Sequence, residues 1–336
     1  MRVTLPYVNS SAIWAYIERF SSHLGLARPD TLYHHARATD ALAALQQGEL
    51  WASALPYWRG SEAKRSLGVA LHLVEQRLKE LALPPTWDAA LQISLSRSPA
   101  LRQTLFEHQL FARIETLLKA HLDSSRLSCA LSLASSADNP ALWRRHCPAG
   151  GYALGFSARP LARLAEEQGF SLFPCYYGDW AEHDEIIQGA LLGSSQAWLP
   201  KLEVVYAGAD LRNKTGRETA WYEAQTVIRQ EAAGVCGVIL QVAALLRHEA
   251  HEAEGEWRLI TGELRPQQAD YRETGGVIAP FKRFDLGGEP TVSRVVVATQ
   301  GERSLALHGL KGLLSKVSPA AQQPVQLESS RWHTLA

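Results

Sequence analysis

The chain has 336 residues, of which 46% are hydrophobic and 20% are charged, with 34 basic and 34 acidic side chains and a formal net charge of zero. This composition supports a buried core rather than a disordered chain, and the charge balance argues against general nucleic-acid binding. The four cysteines form no CxxC pair, which argues against a zinc ribbon or a disulfide framework and predicts free or buried thiols in a reducing cytoplasm.

The chain shows no sign of membrane targeting. Residues 1–6 lack the basic start and apolar stretch of a signal peptide. The longest apolar run, residues 235–246, has about half the length that a membrane-spanning helix needs. We therefore expect a core element in this run, no membrane association, and a cytoplasmic location.

The first third of the chain is predicted to be mostly helical. Apolar residues at helical spacing predict an N-terminal helix within residues 1–30. Two short strands are predicted at 31–34 and 50–55, with a short helix between them. A helical insert is then expected at about 61–122.

Beyond residue 126, apolar and small polar residues alternate, as is typical of half-buried strands. The predicted strands are 127–133, 152–156, 170–177, 256–260, 277–281, 292–298 and 325–327. The predicted helices are 140–143, a segment after Pro160, 186–192, a segment from the loop at 208–216 to about 252, and 305–314. Because strand candidates flank the helical insert, the sequence predicts an α+β fold: one interleaved domain at 31–336 with a mixed β-sheet and a helical N-terminal insert.

The motifs of several common enzyme classes are missing, namely a GxGxxG after a strand, a Walker loop, HExxH and GxSxG. His248, Glu249, His251 and Glu252 form a cluster of metal-capable side chains, but its histidines are three residues apart where HExxH chemistry needs four. A solvated helix end is the better interpretation, and no metal cofactor is expected. The basic run 144–146 has the charge to hold a phosphate, although such runs are more often solvated faces.

An acidic pair provides the sharpest local signal. Glu254 and Glu256 alternate at the start of a predicted strand, which puts both carboxylates on one side of the sheet. Neighbouring carboxylates tune each other's protonation, which suits acid–base catalysis or stabilisation of a cation. An exposed acidic strand start is the structural alternative.

Short motifs also occur in a recognisable order. They are Leu32-Tyr33-His34-His35, Leu50-Trp51-Ala52-Ser53, Leu131-Ser132 with Asp138-Asn139 and Leu142-Trp143, the run 151–156 (GYALGF), the run 254–259 (EGEWRL) and the run 325–330 (VQLESS). Together they resemble the bacterial family named domain of unknown function 2971 (DUF2971), from about Thr31 to the C-terminus. The family usually has Asn-Asp-Pro after the second strand, where this chain has LPYWRG at 55–60, so the role of that acidic motif is not carried over.

The layout of that family is in turn similar to that of ADP-ribosyltransferases, which implies a split β-sheet and NAD as the substrate. By this resemblance, the first-strand, middle-strand and later-strand site residues are His34, Ser132 and Glu256, with Glu254 as a second acid. Glu256 would stabilise the oxocarbenium-like transition state formed when the nicotinamide–ribose bond breaks, and Glu254 would serve as general base. Ser132 would hold the Glu256 carboxylate, and His34 would hold the ribose or a phosphate.

Three further NAD-binding residues follow from the same resemblance. Tyr33 or Trp143 would stack on nicotinamide, and Arg258 would pair with an NAD phosphate. Each candidate has a structural alternative. Trp143 suits a core, Arg258 suits an ion pair with Glu256, and His34 suits a satisfied core position.

The sequence thus supports three functional hypotheses. The first is an ADP-ribosyltransferase-like, NAD-using effector or toxin of bacterial conflict. The second is a catalytically inactive nucleotide- or protein-binding module of the same fold, favoured by the missing acidic motif. The third is a metal-dependent hydrolase that uses the cluster at 248–252.

Overall fold

The structure is a computed structural model, and it describes residues 29–57, 62–81, 99–195, 199–210, 212–274, 276–287, 292–299, 303–317 and 325–331. The predicted N-terminal helix falls almost wholly outside the described residues. Contacts divide the chain into a helical unit, which includes Glu62–Arg126 and Trp180–Ala243, and a sheet unit of Ser21–Ser61, Leu127–Asp179 and Ala244–Ala336.

Helices and a mixed sheet are both present, so the predicted α+β class is confirmed. In chain order, the elements are β1 Thr31–Ala36, α1 Ala38–Leu42, β2 Glu49–Ala54, α2 Glu62–Glu80, α3 Pro99–Leu122, β3 Cys129–Ala134, α4 Pro140–His146, β4 Gly150–Ser157, α5 Ala158–Glu167, β5 Phe170–Pro174, β6 Tyr176–Gly178, α6 Trp180–Ser195, α7 Leu199–Ala207, α8 Lys214–Leu245, β7 Leu246–His248, β8 Glu256–Thr261, β9 Asp270–Thr274, β10 Val277–Asp285, β11 Val292–Thr299, α9 Arg303–Val317 and β12 Gln326–Ser329. Short segments of 3-10 helix lie at Leu55–Tyr57, Glu249–Glu254 and Pro266–Gln268.

The helical unit contains the predicted insert as α2 and α3, and α6, α7 and most of α8 belong to it as well. Helix α8 is long and apolar enough to cross a membrane, with a mean hydropathy of 1.3 in its most apolar window, but 56% of that window is buried inside the fold. A buried core helix has these same properties, and the burial of α8 favours that role. A cytoplasmic location stays a prediction. All four cysteines are buried thiols that form no disulfide bond, as predicted.

The sheet unit is organised around β3. Strand β8 pairs antiparallel with β3 from Ala130↔Ile260 to Ala134↔Glu256 and therefore occupies one edge of β3. Both β2 and β1 pair with the opposite edge, β2 near Ala130 and β1 at Ala134. The register leaves β3 residues 131–133 without a strand partner on that edge. We call this gap between β1 and β2 the split.

The two faces of the sheet have different roles. Leu131 and Leu133 point to the main core, where Leu161 of α5 and Leu310 of α9 are also buried. Ser132 alternates with these leucines and points to the other face. The strand registers put Arg258, Glu256 and Ser53 on the same face as Ser132.

Several segments differ from the sequence prediction, and two of them carry polar residues near the site. The helix expected to continue to about residue 252 ends at Leu245, and the chain continues as β7, which pairs in parallel with β6. The spacing of apolar residues cannot reveal this change from helix to strand. Arg247 of β7 is held by ion pairs with Glu254 and Glu256, which lie beyond the helix. Strand β9 was not predicted, since its sequence DYRET is polar and its side chains are half-buried or exposed at the edge of the sheet.

The turn before β8 depends on one glycine. Gly255 has a φ of 53°, and a Cβ at this position would lie 2.5 Å from Ser135 Oγ. We therefore expect Gly255→Ala to lower the free energy of unfolding by about 1–2 kcal/mol in urea denaturation. Gly262→Ala is the matched control, because its Cβ would have no atom within 4 Å. Equal effects of the two substitutions would contradict the required left-handed turn.

Candidate functional site

Glu256 lies at the centre of a buried ion cluster. Its Oε1 accepts hydrogen bonds from Ser132 Oγ and from Arg258 Nε, the latter at 3.0 Å. Its Oε2 accepts from Arg258 Nη2 at 3.0 Å and lies 3.0 Å from Arg247 Nε. Only 3% of the residue is exposed. Both carboxylate oxygens are therefore engaged by groups of the protein.

The register of three segments produces this cluster. Ser132 and Arg258 are directly opposite each other in the β3–β8 pair, and Glu256 precedes Arg258 by two residues on the same face. The backbone N–H of Glu256 donates to Tyr177 Oη at 2.7 Å. Arg258 Nη1 donates to the carbonyl of Ala244 near the end of α8. Strand pairing and the end of a helix thus hold the cluster rigidly.

Glu254, the second acid, has a separate set of partners. It lies 2.7 Å from Arg247 Nη2, 3.1 Å from Arg145 Nη1 and 3.0 Å from His251 Nδ1. Arg247 is therefore shared between Glu254 and Glu256. The structure brings the two predicted acids together, but through a common arginine and with their carboxylates occupied.

The electrostatic environment keeps Glu256 ionised. Burial raises the pKa of its carboxyl group, but Arg258 and Arg247 outweigh burial and lower the pKa to about 2. Glu256 is thus a fixed negative charge and not a proton carrier near neutral pH. The cluster contains three arginines, Arg145, Arg247 and Arg258, and two carboxylates, since Arg145 also pairs with Glu254.

His34 joins the site through the split. Its Nδ1 lies 3.0 Å from the carbonyl oxygen of Ser132, so Nδ1 is the protonated nitrogen and Nε2 carries the free lone pair. Burial lowers the pKa of His34, which favours this neutral form. His34 is therefore hydrogen-bonded to the backbone of Ser132, and the side chain of Ser132 separately donates to Glu256, so residues of β1, β3 and β8 meet at the split.

The three predicted NAD-binding residues are in packed positions. Tyr33 and Trp143 are buried in a small core with Cys147 and Ala153, with 7% and 4% of their surfaces exposed. Trp143 Nε1 donates to Asp138, and its ring meets His35 edge-on at 4.7 Å. Arg258 is 2% exposed. Their roles in NAD binding stay predictions, and their burial favours the structural alternatives.

Sequence reasoning missed several polar residues near the split. Arg247 was hidden at the end of an apolar run, where a lone arginine is itself a signal of a buried ion pair. Arg272 of β9 donates from Nη2 to Ser53 Oγ at 2.8 Å, and its Cζ lies 5.1 Å from the centre of the Trp51 ring. Arg272 and Ser53 are 219 positions apart in the sequence, so local patterns could not connect them.

The cluster at 248–252 has local contacts in the structure. His248 Nδ1 accepts from the backbone N–H of Ala250 at 3.3 Å, and His251 contacts Glu254. Within the described part of the chain, no group of three or more His, Cys, Asp or Glu side chains is arranged to hold a metal ion. The metal-dependent hydrolase hypothesis therefore has no supporting geometry there.

No family model matches this chain, and neither a curated protein nor a solved structure shows a significant match to it. The resemblance to the DUF2971 family and to ADP-ribosyltransferases therefore stays a prediction.

Proposed function

We propose that this chain is an ADP-ribosyltransferase-like, NAD-using protein whose site lies at the split between β1 and β2. One observation carries the proposal. His34, Ser132 and Glu256 come from three distant parts of the sequence, and they meet at the split: the His34 imidazole contacts the Ser132 backbone carbonyl, and the Ser132 hydroxyl donates to Glu256. These are the three residues for which the resemblance implies a common site.

In this proposal, each residue has a role that its contacts support. Glu256 supplies a fixed negative charge for the oxocarbenium-like transition state, and Ser132 fixes the position of that charge. The Nε2 lone pair of His34 accepts a hydrogen bond from a ribose hydroxyl. Glu254 is engaged by Arg145, Arg247 and His251, so it orients Arg247 and does not act as general base.

A second candidate is a nucleotide-binding module without turnover. The full engagement of the Glu256 carboxylate by Ser132, Arg258 and Arg247 favours it. An acid neutralised by two arginines stabilises a nearby cation less than a free carboxylate does. The excess of arginine in the cluster suits an anionic ligand.

Incubation of the purified protein with NAD, alone and with bacterial lysate, tests the two candidates. If it is an enzyme, nicotinamide is released or a lysate component is ADP-ribosylated, as expected of an effector or toxin. Ser132→Ala is the key variant, because it keeps both arginine pairs of Glu256, and we expect at least about tenfold slower turnover. Glu328→Gln, on the exposed Arg294 pair, is the control and leaves the rate unchanged.

The outcomes separate the candidates. NAD binding without turnover that survives Ser132→Ala supports the binding module. Turnover that is equal in the wild type and Ser132→Ala contradicts the assigned site. The absence of both NAD binding and turnover rejects both candidates.

A further inference from the structure

Arg272 has an unusual position on the face that carries Ser132. It lies on the edge strand β9, and its guanidinium group reaches over β10 to Ser53 on β2. The Cζ atom lies 5.1 Å from the ring centre of Trp51 and 5.5 Å from that of Phe281. These two cation–π contacts and the hydrogen bond to Ser53 restrict the guanidinium before any ligand arrives.

The charge of Arg272 is only weakly compensated. In the part of the chain that the structure describes, its single acidic contact is Asp40 at 3.7 Å, which is longer than a hydrogen bond. Among the described residues, Ser53 Oγ is its one hydrogen-bond acceptor, although a guanidinium has five N–H donors. Burial and nearby Arg37 lower the pKa of Arg272, against the effect of Asp40. The side chain nevertheless remains 23% exposed.

The charge of a neighbouring arginine, Arg283, is compensated by two carboxylates. Arg283 on β10 pairs with Asp270 at 3.0 Å and with Glu49 at 3.4 Å. Both carboxylates raise the pKa of Arg283. The two arginines share one face of adjacent strands, yet Arg283 is hydrogen-bonded to two carboxylates, whereas Arg272 is hydrogen-bonded only to the hydroxyl of Ser53 among the described side chains.

The geometry points to an anion subsite at Arg272 that binds a phosphate group of a nucleotide. Ser53, which Arg272 contacts, pairs with Ala130. Ala130 is two residues from Ser132, about 7 Å along β3, which the ribose–phosphate link of a dinucleotide can span. The planar guanidinium fork matches two phosphate oxygens. This inference rests on the proposed function and names the part of the ligand that the split would hold.

Isothermal titration calorimetry with ADP-ribose, inorganic phosphate and adenosine tests the subsite. We expect Arg272→Gln to weaken ADP-ribose binding at least about tenfold and to leave adenosine binding unchanged. Asp40→Asn removes the competing carboxylate and should tighten ADP-ribose binding about two- to fivefold. Arg283→Gln is the matched control and should change binding by less than about twofold. Arg272→Lys keeps the charge without the planar fork and should give an intermediate loss.

The subsite and the proposed function fail in different ways. Equal binding by Arg272→Gln and Arg283→Gln, or no binding of ADP-ribose by the wild type, overturns the subsite. NAD turnover with an unchanged KM in Arg272→Gln overturns the subsite and leaves the function standing. Arg272-dependent ADP-ribose binding without NAD turnover supports the subsite and removes the enzyme. If Arg272→Gln does not fold, the result for Arg272→Lys decides: unchanged binding overturns the subsite, and an intermediate loss supports it.

Discussion

Glu256→Gln is expected to destabilise the sheet unit by about 3–5 kcal/mol, which is the usual cost of removing one partner from a buried ion pair. The substitution leaves Arg258 and Arg247 buried without their shared carboxylate, and each is only 2% exposed. Neither arginine can regain water without opening the sheet or the end of α8. Urea denaturation followed by circular dichroism measures the loss.

The control for Glu256→Gln is Glu328→Gln. Glu328 also pairs with an arginine, Arg294, but the pair is exposed, and we expect less than about 1 kcal/mol. A cost below about 1 kcal/mol for Glu256→Gln would show that the cluster is not buried in solution. The same measurement identifies conditions in which the variant is folded, so that its NAD turnover can be compared with that of Ser132→Ala.

Acid should destabilise the protein well above the pH at which Glu256 takes up a proton. The pKa of His35 is lowered from 6.5 to about 3, mainly by burial, with His146 and His34 acting in the same direction and the backbone carbonyl of Ala137 and Asp138 opposing them. Burial also lowers the pKa of His146 to about 4, with Arg145 acting in the same direction. Both imidazoles are therefore neutral in the folded state.

The sign of the effect follows from these shifts. The unfolded chain protonates both histidines below about pH 6.5, whereas the folded chain does so only near their lowered pKa values. The unfolded state thus binds more protons, and the free energy of unfolding falls as the pH drops from 6.5 towards 4. His35 alone should contribute a loss of about 3 kcal/mol over this interval. Urea denaturation at a series of pH values measures the slope.

His35→Gln should flatten that slope. A glutamine amide can donate to the carbonyl of Ala137, which His35 Nε2 contacts at 3.1 Å, but it does not titrate. His72→Gln, at an exposed position on α2, is the control and should leave the slope unchanged. An identical slope in the wild type and His35→Gln would show that His35 is not held neutral by its surroundings.

Local sequence patterns predicted most of the sheet. Strands β3 and β4 have one face in the main core, so their alternation was readable, and Asn139 with Pro140 marked the start of α4. The edge strand β9 and the change from α8 to β7 were missed. In both places, contacts with distant segments stabilise the conformation, and propensity does not.

The sequence itself determined the α+β class, the buried thiols and the types of side chain available for chemistry, because these depend on composition and on periods of two and 3.6 residues. Only the tertiary structure decided which charges meet. It paired Glu256 with Arg247 and Ser132, buried Trp143 instead of exposing it, and brought Arg272 to Ser53. Ion pairing and burial depend on distance in space, and strand register sets that distance between residues up to 219 positions apart.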